Sequence, residues 1–484
     1  MFSITLTNFR SFKNQKFNFD NFNILIGENS SGKSSLFKFL LAIKQSFQAP
    51  ANREINLLFS GEYVDLGNYK ESIYYHDDSL PMSFKFGFGS TYYKYFLDFM
   101  LGDASHKSFA AKKLIQNVNA EGSETEISFE LTKHLNIHTS IKTHIKNNKV
   151  GELIIEYLVE EVKTAKTPLS EQKCNLKFLD FSTQTVYHLK NIGYSKDAFM
   201  TLIEPDDLKT SCRRAFSIPD RDFKASEITK DQQYLLSRVD KLWDQIAFLL
   251  VAQNYLRSTF ERLEYINPIN THLSRFYFNK DQKIFSTINN LDDVLAFFNS
   301  SAPLKDKIFK DFVKILKKVG IADQIEIIDD ERLPVRELRV KVKDLVSNIS
   351  DVGYGVSLQM PIILKALLAE KLSLGRKRFI LIEQPEVHLH PKLHASLIDA
   401  LMSLSKNTTY FIETHSEHIV RKLQVMVKNK VHGVSPDNVT IHYLVRKGKQ
   451  SQVSSHKIKE NGLLEESFPT GFFDNSFILS KQLL

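Results

Sequence analysis

The sequence predicts an α/β fold in which a mostly parallel β-sheet is assembled from two separate stretches of the chain. Near the start, a buried strand over residues 23–26 leads through a glycine-rich loop into a helix over residues 36–43. From about residue 350 onward, short apolar strands again alternate with helices. Such alternation is typical of parallel sheets that helices cover on both faces. The region between the two stretches is therefore predicted to be an insertion of mixed strands and helices.

The glycine-rich loop, Gly27-Glu-Asn-Ser-Ser-Gly-Lys-Ser34, fits the pattern G-x-x-x-x-G-K-[ST]. Its glycines let the backbone curl so that N–H groups point at phosphate oxygens. Lys33 would reach the β- and γ-phosphates, and the Ser34 hydroxyl would bind Mg²⁺. The strand before and the helix after favour this interpretation over a simple Gly/Ser-rich turn, so ATP and Mg²⁺ are the predicted ligands. The predicted nucleotide contacts in the loop are Gly27, Glu28, Asn29, Ser30, Ser31, Gly32, Lys33, Ser34 and Ser35.

The composition of the 484-residue chain is that of an ordinary globular protein with two or three lobes. The two cysteines, Cys174 and Cys212, offer neither a disulfide framework nor metal-ligand spacing, so a cytoplasmic location is expected. The first ten residues resemble a strand rather than a signal peptide. The longest apolar run, residues 246–252, is too short to cross a bilayer. A net charge of +8 permits DNA or an acidic protein as a partner.

The N-terminal and middle segments show strand patterns first and helical patterns later. Alternating side chains predict a strand near residues 4–9, and residues 16–26 supply one or two more before the loop. Three strands and then three helices are predicted in the middle region, the helices from apolar residues at helical spacing. These segments are 126–131, 137–145 and 153–159, followed by 232–262, 292–298 and 304–319.

The C-terminal segments alternate regularly after a predicted strand over residues 338–345. Their strands are short and almost wholly apolar, as expected for parallel strands buried on both faces. Pro391 suits the first turn of its helix, where a backbone N–H is not needed. The predicted strands are 378–382, 409–412 and 439–445, and the predicted helices are 358–372, 391–404 and 417–427.

One of these strands ends in the acidic segment Glu383-Gln-Pro-Glu386. Ligands bind at the carboxyl ends of strands in parallel sheets. An acid at this position, Glu383, would hold Mg²⁺ or its water shell, and an adjacent acid would orient the attacking water. The alternative is a buried strand that simply ends in solvated glutamates, which the upstream phosphate loop makes the poorer interpretation.

His415 follows the next apolar strand, within Glu413-Thr-His-Ser-Glu417. A histidine at this place can hydrogen-bond a γ-phosphate and so respond to its presence. The alternative is that Ser416 caps a helix and the histidine is incidental.

The segment Asp351-Val-Gly-Tyr-Gly-Val-Ser357 opens another predicted helix. Two glycines, a serine and a helix N-terminus can bind an anion. Because the chain already has a phosphate loop, Gly355 and Ser357 would suit the γ-phosphate of a nucleotide held by a second subunit. A capped helix without a ligand is the alternative.

Three histidines lie close together in the sequence at His388, His390 and His394. The last two have the i, i+4 spacing of a helical zinc site, with the first just upstream. The favoured interpretation is that this segment packs beneath the site and hydrogen-bonds its loops.

The order of these motifs resembles the ABC-type AAA ATPases related to the OLD family, which share their head with the SMC and Rad50 group. The resemblance covers roughly the first 75 and the last 140 residues, and the stretch from Tyr265-Ile-Asn-Pro268 through Arg275-Phe-Tyr277 is a weaker match. The segments that carry it are Asn8-Phe-Arg10, the phosphate loop, Asp351–Ser357, Ile382–Pro391, Glu413–His418 and Phe468-Pro-Thr-Gly-Phe-Phe-Asp474. The last of these resembles a subgroup of largely undefined function.

This resemblance implies an ABC/SMC-head type of P-loop fold and a head-to-tail dimer, or a larger homo-oligomer, with ATP between subunits. Lys33 and Ser34 of one copy would hold the nucleotide, and the segment around Ser357 of another copy would close over it. The resemblance also places Glu383 at the Mg²⁺-associated acid, His415 at the switch histidine and Arg10 near the nucleotide. The implied domains are 1–80 and 336–484 as two halves of the ATPase domain, with 81–335 as the insertion.

Two departures from the family pattern bear on hydrolysis. The residue after the Mg²⁺ acid is usually a catalytic glutamate, and here it is Gln384, which cannot accept a proton as a carboxylate does. Glu386 can substitute for it two residues further on; otherwise hydrolysis is slow and the protein is chiefly a switch. The order Ser357-Leu-Gln359 also differs from the usual serine–glutamine pair.

The resemblance further implies a role in which a separate chain carries the effector activity. OLD proteins carry a Toprim nuclease after the ATPase, whereas about 69 residues follow His415 here. We therefore expect a separate nuclease or toxin chain, as in PARIS-like or Septu-like anti-phage systems that sense infection, for example through an acidic phage protein. A DNA-repair ATPase that clamps DNA and a non-hydrolysing scaffold are the alternatives.

Overall fold

The computed structural model describes most of the chain. The described residues are 2–48, 57–89, 124–134, 138–157, 173–197, 200–203, 205–216, 218, 229–267, 273–278, 288, 290–298, 303–352, 354–373, 377–387 and 389–466. They form two compact units, residues 1–18 with 38–261 (the first unit) and residues 19–37 with 262–484 (the second unit).

The first unit is built on a nine-stranded sheet in the order β10-β9-β8-β7-β6-β5-β4-β1-β2. Its strands from β4 to β10 pair antiparallel in sequence order, and β1 pairs antiparallel with β4. The strands are β1 (Phe2–Phe9), β2 (Phe12–Phe19), β4 (Met82–Phe88), β5 (Thr125–His134), β6 (His138–Asn147), β7 (Gly151–Tyr157), β8 (Lys173–Asp180), β9 (Thr185–Asp197) and β10 (Met200–Ile203). The three strands predicted in the middle region are thus part of a larger sheet that also takes in the N-terminal strands.

A cluster of aromatic side chains lies in the core of the first unit. The ring of Phe39 lies 4.6 Å from that of Phe84, and Phe86 contacts both Phe129 and Phe260 edge to face. Each such buried ring contributes about 1.5–3 kcal/mol of hydrophobic stabilisation. This packing gives a structural role to many of the 37 phenylalanines.

The second unit is built on a six-stranded sheet in the order β11-β16-β17-β3-β18-β19. All neighbours in it are parallel except β18 and β19. The strands are β3 (Phe22–Gly27), β11 (Glu264–Ile266), β16 (Arg378–Glu383), β17 (Thr408–Glu413), β18 (Val439–Lys447) and β19 (Gln450–Lys457). Every residue of β3 and β17 is buried, which fits the apolar runs Ile24–Ile26 and Tyr410–Ile412 within them.

A smaller sheet completes the strands of the second unit, with β12 (Tyr277–Phe278), β14 (Val335–Val342) and β13 (Gln324–Asp329) in that order and β15 (Leu345–Asn348) paired to β14. The helices of the described chain are α1 (Lys33–Gln48), α2 (Tyr69–Ser72), α3 (Pro205–Ala215), α4 (Lys230–Glu261), α5 (Leu291–Phe297), α6 (Pro303–Val319), α7 (Tyr354–Lys371), α8 (Pro391–Ser403) and α9 (Glu417–Lys428). Among the described residues, each predicted helix is present, while α2 and α3 were not predicted.

The prediction of an α/β fold with a sheet assembled from two stretches of the chain is confirmed. Strand β3 from the N-terminal stretch lies between β17 and β18 from the C-terminal stretch. Several strands were not predicted, and one of them bears on the site: β11 is only three residues long and lies in the region assigned to the insertion. Its parallel pairing with β16 brings Tyr265 beside Leu381, close to the acidic strand end.

Candidate nucleotide-binding site

The backbone of the loop after β3 requires glycine at two positions. Gly27 has φ +149°, and a Cβ atom there would lie 2.1 Å from the carbonyl oxygen of Leu444 on β18. Gly32 has φ +104° and Ser30 has φ +61°, so the chain curls through conformations that side chains disfavour. The pairing of Gly27 with Leu444 fixes the start of the loop against the sheet.

Lys33 is the first residue of α1, and its side chain folds back over the loop. Its Nζ donates to the carbonyl oxygens of Gly27 at 2.9 Å and Glu28 at 2.8 Å. Burial lowers the pKa of this ammonium, and the negative charge of Glu413 partly offsets the effect. Phosphate oxygens at the N-terminus of α1 would replace these two neutral acceptors with charged ones, which fits a nucleotide.

Ser34, the predicted Mg²⁺ ligand, hydrogen-bonds a buried carboxylate that was not among the predicted site residues. Its Oγ lies 3.3 Å from each carboxylate oxygen of Glu413, the last residue of β17. Burial, followed by the negative charge of Glu383, raises the pKa of Glu413 to about 7, against the lowering effects of Lys33 and Ser34. Because β17 is the neighbour of β3, its carboxyl end lies beside the loop.

Glu383 occupies the predicted position at the carboxyl end of β16, directly beside Glu413 in the parallel register. The Tyr265 hydroxyl of β11 donates to its carboxylate, and burial together with the charge of Glu383 raises the pKa of that tyrosine. Lys365 supports β11 in turn, since its buried Nζ donates to the Tyr265 carbonyl oxygen at 3.0 Å and pairs with Glu264 at 3.3 Å. Tyr265 therefore orients the acid that the sequence assigns to Mg²⁺.

The turn after β16 holds Gln384 in a left-handed conformation with φ +42°. The Gln384 N–H donates to the Glu413 carbonyl oxygen at 2.7 Å, and the Val387 N–H donates to the Gln384 carbonyl oxygen at 3.1 Å. A third bond comes from α7, where the buried Gln359 Nε2 donates to the Pro385 carbonyl oxygen at 2.8 Å. The acidic turn is thus tied both to the neighbouring strand and to α7.

Glu386 faces the segment that contains the predicted switch histidine. Its Oε1 accepts from the His415 backbone N–H at 2.7 Å, and its Oε2 is buried without a hydrogen-bond partner among the described residues. His415 lies at the surface, where partial burial and the charge of Lys33 lower its pKa against the raising effect of Glu386. A neutral imidazole at this place can donate to or accept from a phosphate or a water.

The helix predicted to face a second copy begins at Tyr354, and Gly355 lies partly exposed in its first turn. The Ser357 side chain is fully buried in the monomer, and Gly353 lies outside the described residues. Before the helix, Asp351 accepts from Arg275 Nη2 at 2.8 Å. Contact between Ser357 and another copy's nucleotide stays a prediction that requires the first turn of α7 to move.

The histidine-rich segment hydrogen-bonds the loops, as favoured from the sequence. His394 contacts the Ser416 hydroxyl at 2.8 Å and the Leu389 carbonyl oxygen at 3.1 Å, and His390 caps α8 by accepting from the Lys392 N–H. His388 lies outside the described residues. Within the described ranges, no group of three or more His, Cys, Asp or Glu side chains is arranged to hold a metal ion. Mg²⁺ at this site would therefore need phosphate oxygens or waters as further ligands.

The remaining predicted nucleotide contacts differ in exposure, and one of them lies in the first unit. Glu28, Asn29 and Ser30 are exposed on the loop, where Arg446 Nη1 lies 3.4 Å from the Ser30 carbonyl oxygen. Arg10 belongs to the first unit, where its N–H donates to Ser72 and burial lowers its pKa. Its contact with the nucleotide stays a prediction. Ser31 Oγ is buried without a protein partner among the described residues, so it is available to hydrogen-bond a phosphate. Ser35 is half-buried.

A glycine-constrained loop, a lysine and serine at a helix N-terminus, and acids at the ends of parallel strands define the class of P-loop nucleotide-binding proteins. The family described as AAA ATPase domain matches residues 1–420, so this chain belongs to that family. The predicted P-loop ATPase fold is thereby confirmed. Residues 434–483 match a protein of unknown function (DUF3696). The predicted Gly-Phe-Phe-Asp motif falls in that match but outside the described residues.

Comparison with solved structures finds heads of SMC proteins. The SMC head domain from Thermotoga maritima is 12% identical with a TM-score of 0.34, covering 93% of this chain and 97% of that one. An Smc head domain with an extended coiled coil, bound to the C-terminal domain of ScpA from Pyrococcus furiosus, is 11% identical with a TM-score of 0.37 and full coverage of both chains. At these TM-scores the likeness carries no argument about function.

No curated protein matches the sequence. Among the described helices, none is long and apolar enough to span a membrane.

Proposed function

We propose that this protein is a slow ATPase that works as a nucleotide-dependent switch. The observation that carries this proposal is the acidic turn after β16. Gln384 stands where a general base is needed, and Glu386 already accepts a hydrogen bond from the His415 N–H. A carboxylate engaged in this way is a weaker proton acceptor, while the loop retains all the groups needed to bind ATP and Mg²⁺.

Steady-state ATP hydrolysis by the purified protein tests this proposal. We expect turnover below about 1 s⁻¹, at the lower end of the enzyme range. Lys33→Ala should abolish nucleotide binding, whereas Glu386→Gln should bind normally and hydrolyse more slowly. Turnover above about 10 s⁻¹ would contradict the slow switch. Binding without any turnover would favour the non-hydrolysing scaffold, for which Gln384 is the supporting observation.

We further propose that the ATP site is completed by a second copy in a head-to-tail arrangement. The support is the placement of Gly355 in the partly exposed first turn of α7, whose N-terminal N–H groups lack intrahelical partners. Those N–H groups suit a phosphate held by the loop of the other copy. The hydrogen bond from Gln359 Nε2 to the Pro385 carbonyl oxygen would connect α7 to the acidic turn when the second copy binds.

As biological role we propose control of a separate effector chain, a nuclease, in anti-phage defence. This step rests on the motif resemblance and not on the chemistry of the site. A strain that carries the gene with its neighbours should lose phage protection on Lys33→Ala. Protection that persists in a strain with normal amounts of the variant would exclude an ATP-dependent defence role.

A second candidate is an ATPase that clamps DNA, and one feature of α6 favours it. Lys314, Lys317 and Lys318 are exposed on this helix, while Phe312 and Leu316 are buried. The same pattern also fits the solvated face of an amphipathic helix. DNA affinity that falls steeply with salt and decreases when these lysines become glutamines would support the clamp.

A further inference from the structure

We propose that Glu413 is a direct carboxylate ligand of the Mg²⁺ ion that accompanies ATP, a role the sequence assigns to Glu383. This inference rests on the proposed ATP-dependent function. It concerns which acid touches the ion, and not whether the site binds nucleotide.

The contact between Ser34 and Glu413 has the geometry that a shared ion requires. Ser34 Oγ lies 3.3 Å from both carboxylate oxygens. Mg²⁺ binds six oxygens at about 2.1 Å, so two adjacent ligands lie about 3 Å apart. The hydroxyl and the carboxylate therefore need to move only a few tenths of an ångström to bind one ion.

The order of strands also favours Glu413 over Glu383. β17 is the neighbour of β3, which carries the loop, whereas β16 is one strand further away. Neighbouring strands lie about 4.8 Å apart, so the end of β16 is farther from Ser34 by about that distance. The Glu383 carboxylate also accepts a hydrogen bond from the Tyr265 hydroxyl. Glu383 is thus placed to hold a water of the ion's shell.

The local charges indicate that a cation belongs between these acids. Glu383 and Glu413 end adjacent strands in direct register. Lys33 is the nearby cation that acts on Glu413, but its Nζ is engaged by two loop carbonyls. A divalent ion beside Ser34 would reduce the repulsion between the carboxylates and leave Lys33 to the phosphates.

Manganese binding to the full-length protein tests the assignment. Mn²⁺ replaces Mg²⁺ at such sites, and electron paramagnetic resonance measures its affinity with a non-hydrolysable ATP analogue present. We expect Glu413→Gln to weaken Mn²⁺ binding at least tenfold and Glu383→Gln to weaken it less than threefold. Glu370→Gln is the matched control, since Glu370 accepts from the Asn407 N–H at the opposite end of β17 and should bind Mn²⁺ like the wild type. A larger loss in Glu383→Gln than in Glu413→Gln would overturn the proposal.

Glu413→Cys gives a readout that does not depend on affinity. A thiolate in contact with Cd²⁺ produces a charge-transfer absorbance, because soft metals prefer sulfur ligands. We expect this band with Cd²⁺ and the ATP analogue in Glu413→Cys but not in Glu383→Cys, with the wild type as the blank for the native cysteines. The band in Glu383→Cys alone would overturn the proposal. Absence of analogue binding by the wild type with Mg²⁺ present would instead refute the proposed function.

Discussion

Glu413 is a buried carboxylic acid whose charged form is disfavoured in the protein without nucleotide. Its pKa is raised to about 7, mainly by burial and then by Glu383. Because the folded protein binds this proton more tightly than the unfolded chain does, the free energy of unfolding falls as the pH rises from about 4.5 to about 7. The titration of Glu413 alone causes this part of the pH dependence of the free energy of unfolding.

Glu413→Gln should therefore stabilise the nucleotide-free protein. The gain should be small at pH 5 and about 1–3 kcal/mol at pH 8, since only the ionised acid is costly to bury. Urea unfolding of wild type and variant at both pH values, without Mg²⁺ or nucleotide, measures it. An equal gain at both pH values would show that the carboxylate does not titrate in this range.

Tyr265→Phe removes the hydroxyl that orients Glu383 and keeps the ring. We expect the ATP turnover number to fall about three- to tenfold, because a misplaced water-holding acid costs about 1 kcal/mol of transition-state stabilisation. The affinity for ATP should stay within twofold of the wild type. Tyr277→Phe, a buried tyrosine on the smaller sheet, is the control. An unchanged turnover number in Tyr265→Phe would show that Glu383 needs no such support.

Among the elements, α7 and the acidic turn after β16 are joined by the buried bond from Gln359 to Pro385. Gln424 offers a matched comparison, because its Nε2 donates to the Gly462 carbonyl oxygen at 2.9 Å in a buried contact of α9. Both side chains satisfy one buried carbonyl. Only the Gln359 bond connects α7, which is proposed to contact another copy, with the acidic turn, whose residues are proposed to act on water.

Gln359→Leu and Gln424→Leu should lower stability by similar amounts, about 1–3 kcal/mol each, since each leaves a buried carbonyl unpaired. They should differ in activity. We expect Gln359→Leu to lose about tenfold in turnover with unchanged nucleotide affinity, while Gln424→Leu keeps wild-type turnover. Equal turnover in the two variants would assign Gln359 a purely structural role.

Local patterns predict most elements of the second unit, and the reason is physical. Glycine positions, apolar runs and helical spacing are local signals, so they predict β3, the loop, α1 and the alternation from β16 to β18. Glu413 and Tyr265 become site residues only through strand order, which places β17 beside β3 and β11 beside β16. The segment Ile412-Glu-Thr-His-Ser416 is visible in the sequence. Nothing in its spacing shows that Glu413 rather than Glu383 contacts Ser34.

For the whole molecule, the proposal gives each copy half of an ATP site and a helix suited to complete the same site in another copy. The loop of the second unit would bind phosphates, and the first turn of α7 presents Gly355. A head-to-tail dimer of this kind has two identical composite sites related by twofold symmetry. We therefore expect the proposed switch to require both ATP and assembly.

Mixing two inactive variants measures this central claim most directly. Lys33→Ala removes nucleotide binding, and Gly355→Glu places a negative charge where the other copy's phosphate would lie. Each variant alone should be inactive, whereas a mixed dimer contains one intact site. An equal mixture should therefore recover about a quarter of wild-type ATP turnover if copies exchange freely. A mixture that stays inactive although mixed dimers are present, or a Gly355→Glu protein as active as the wild type, would contradict the composite site.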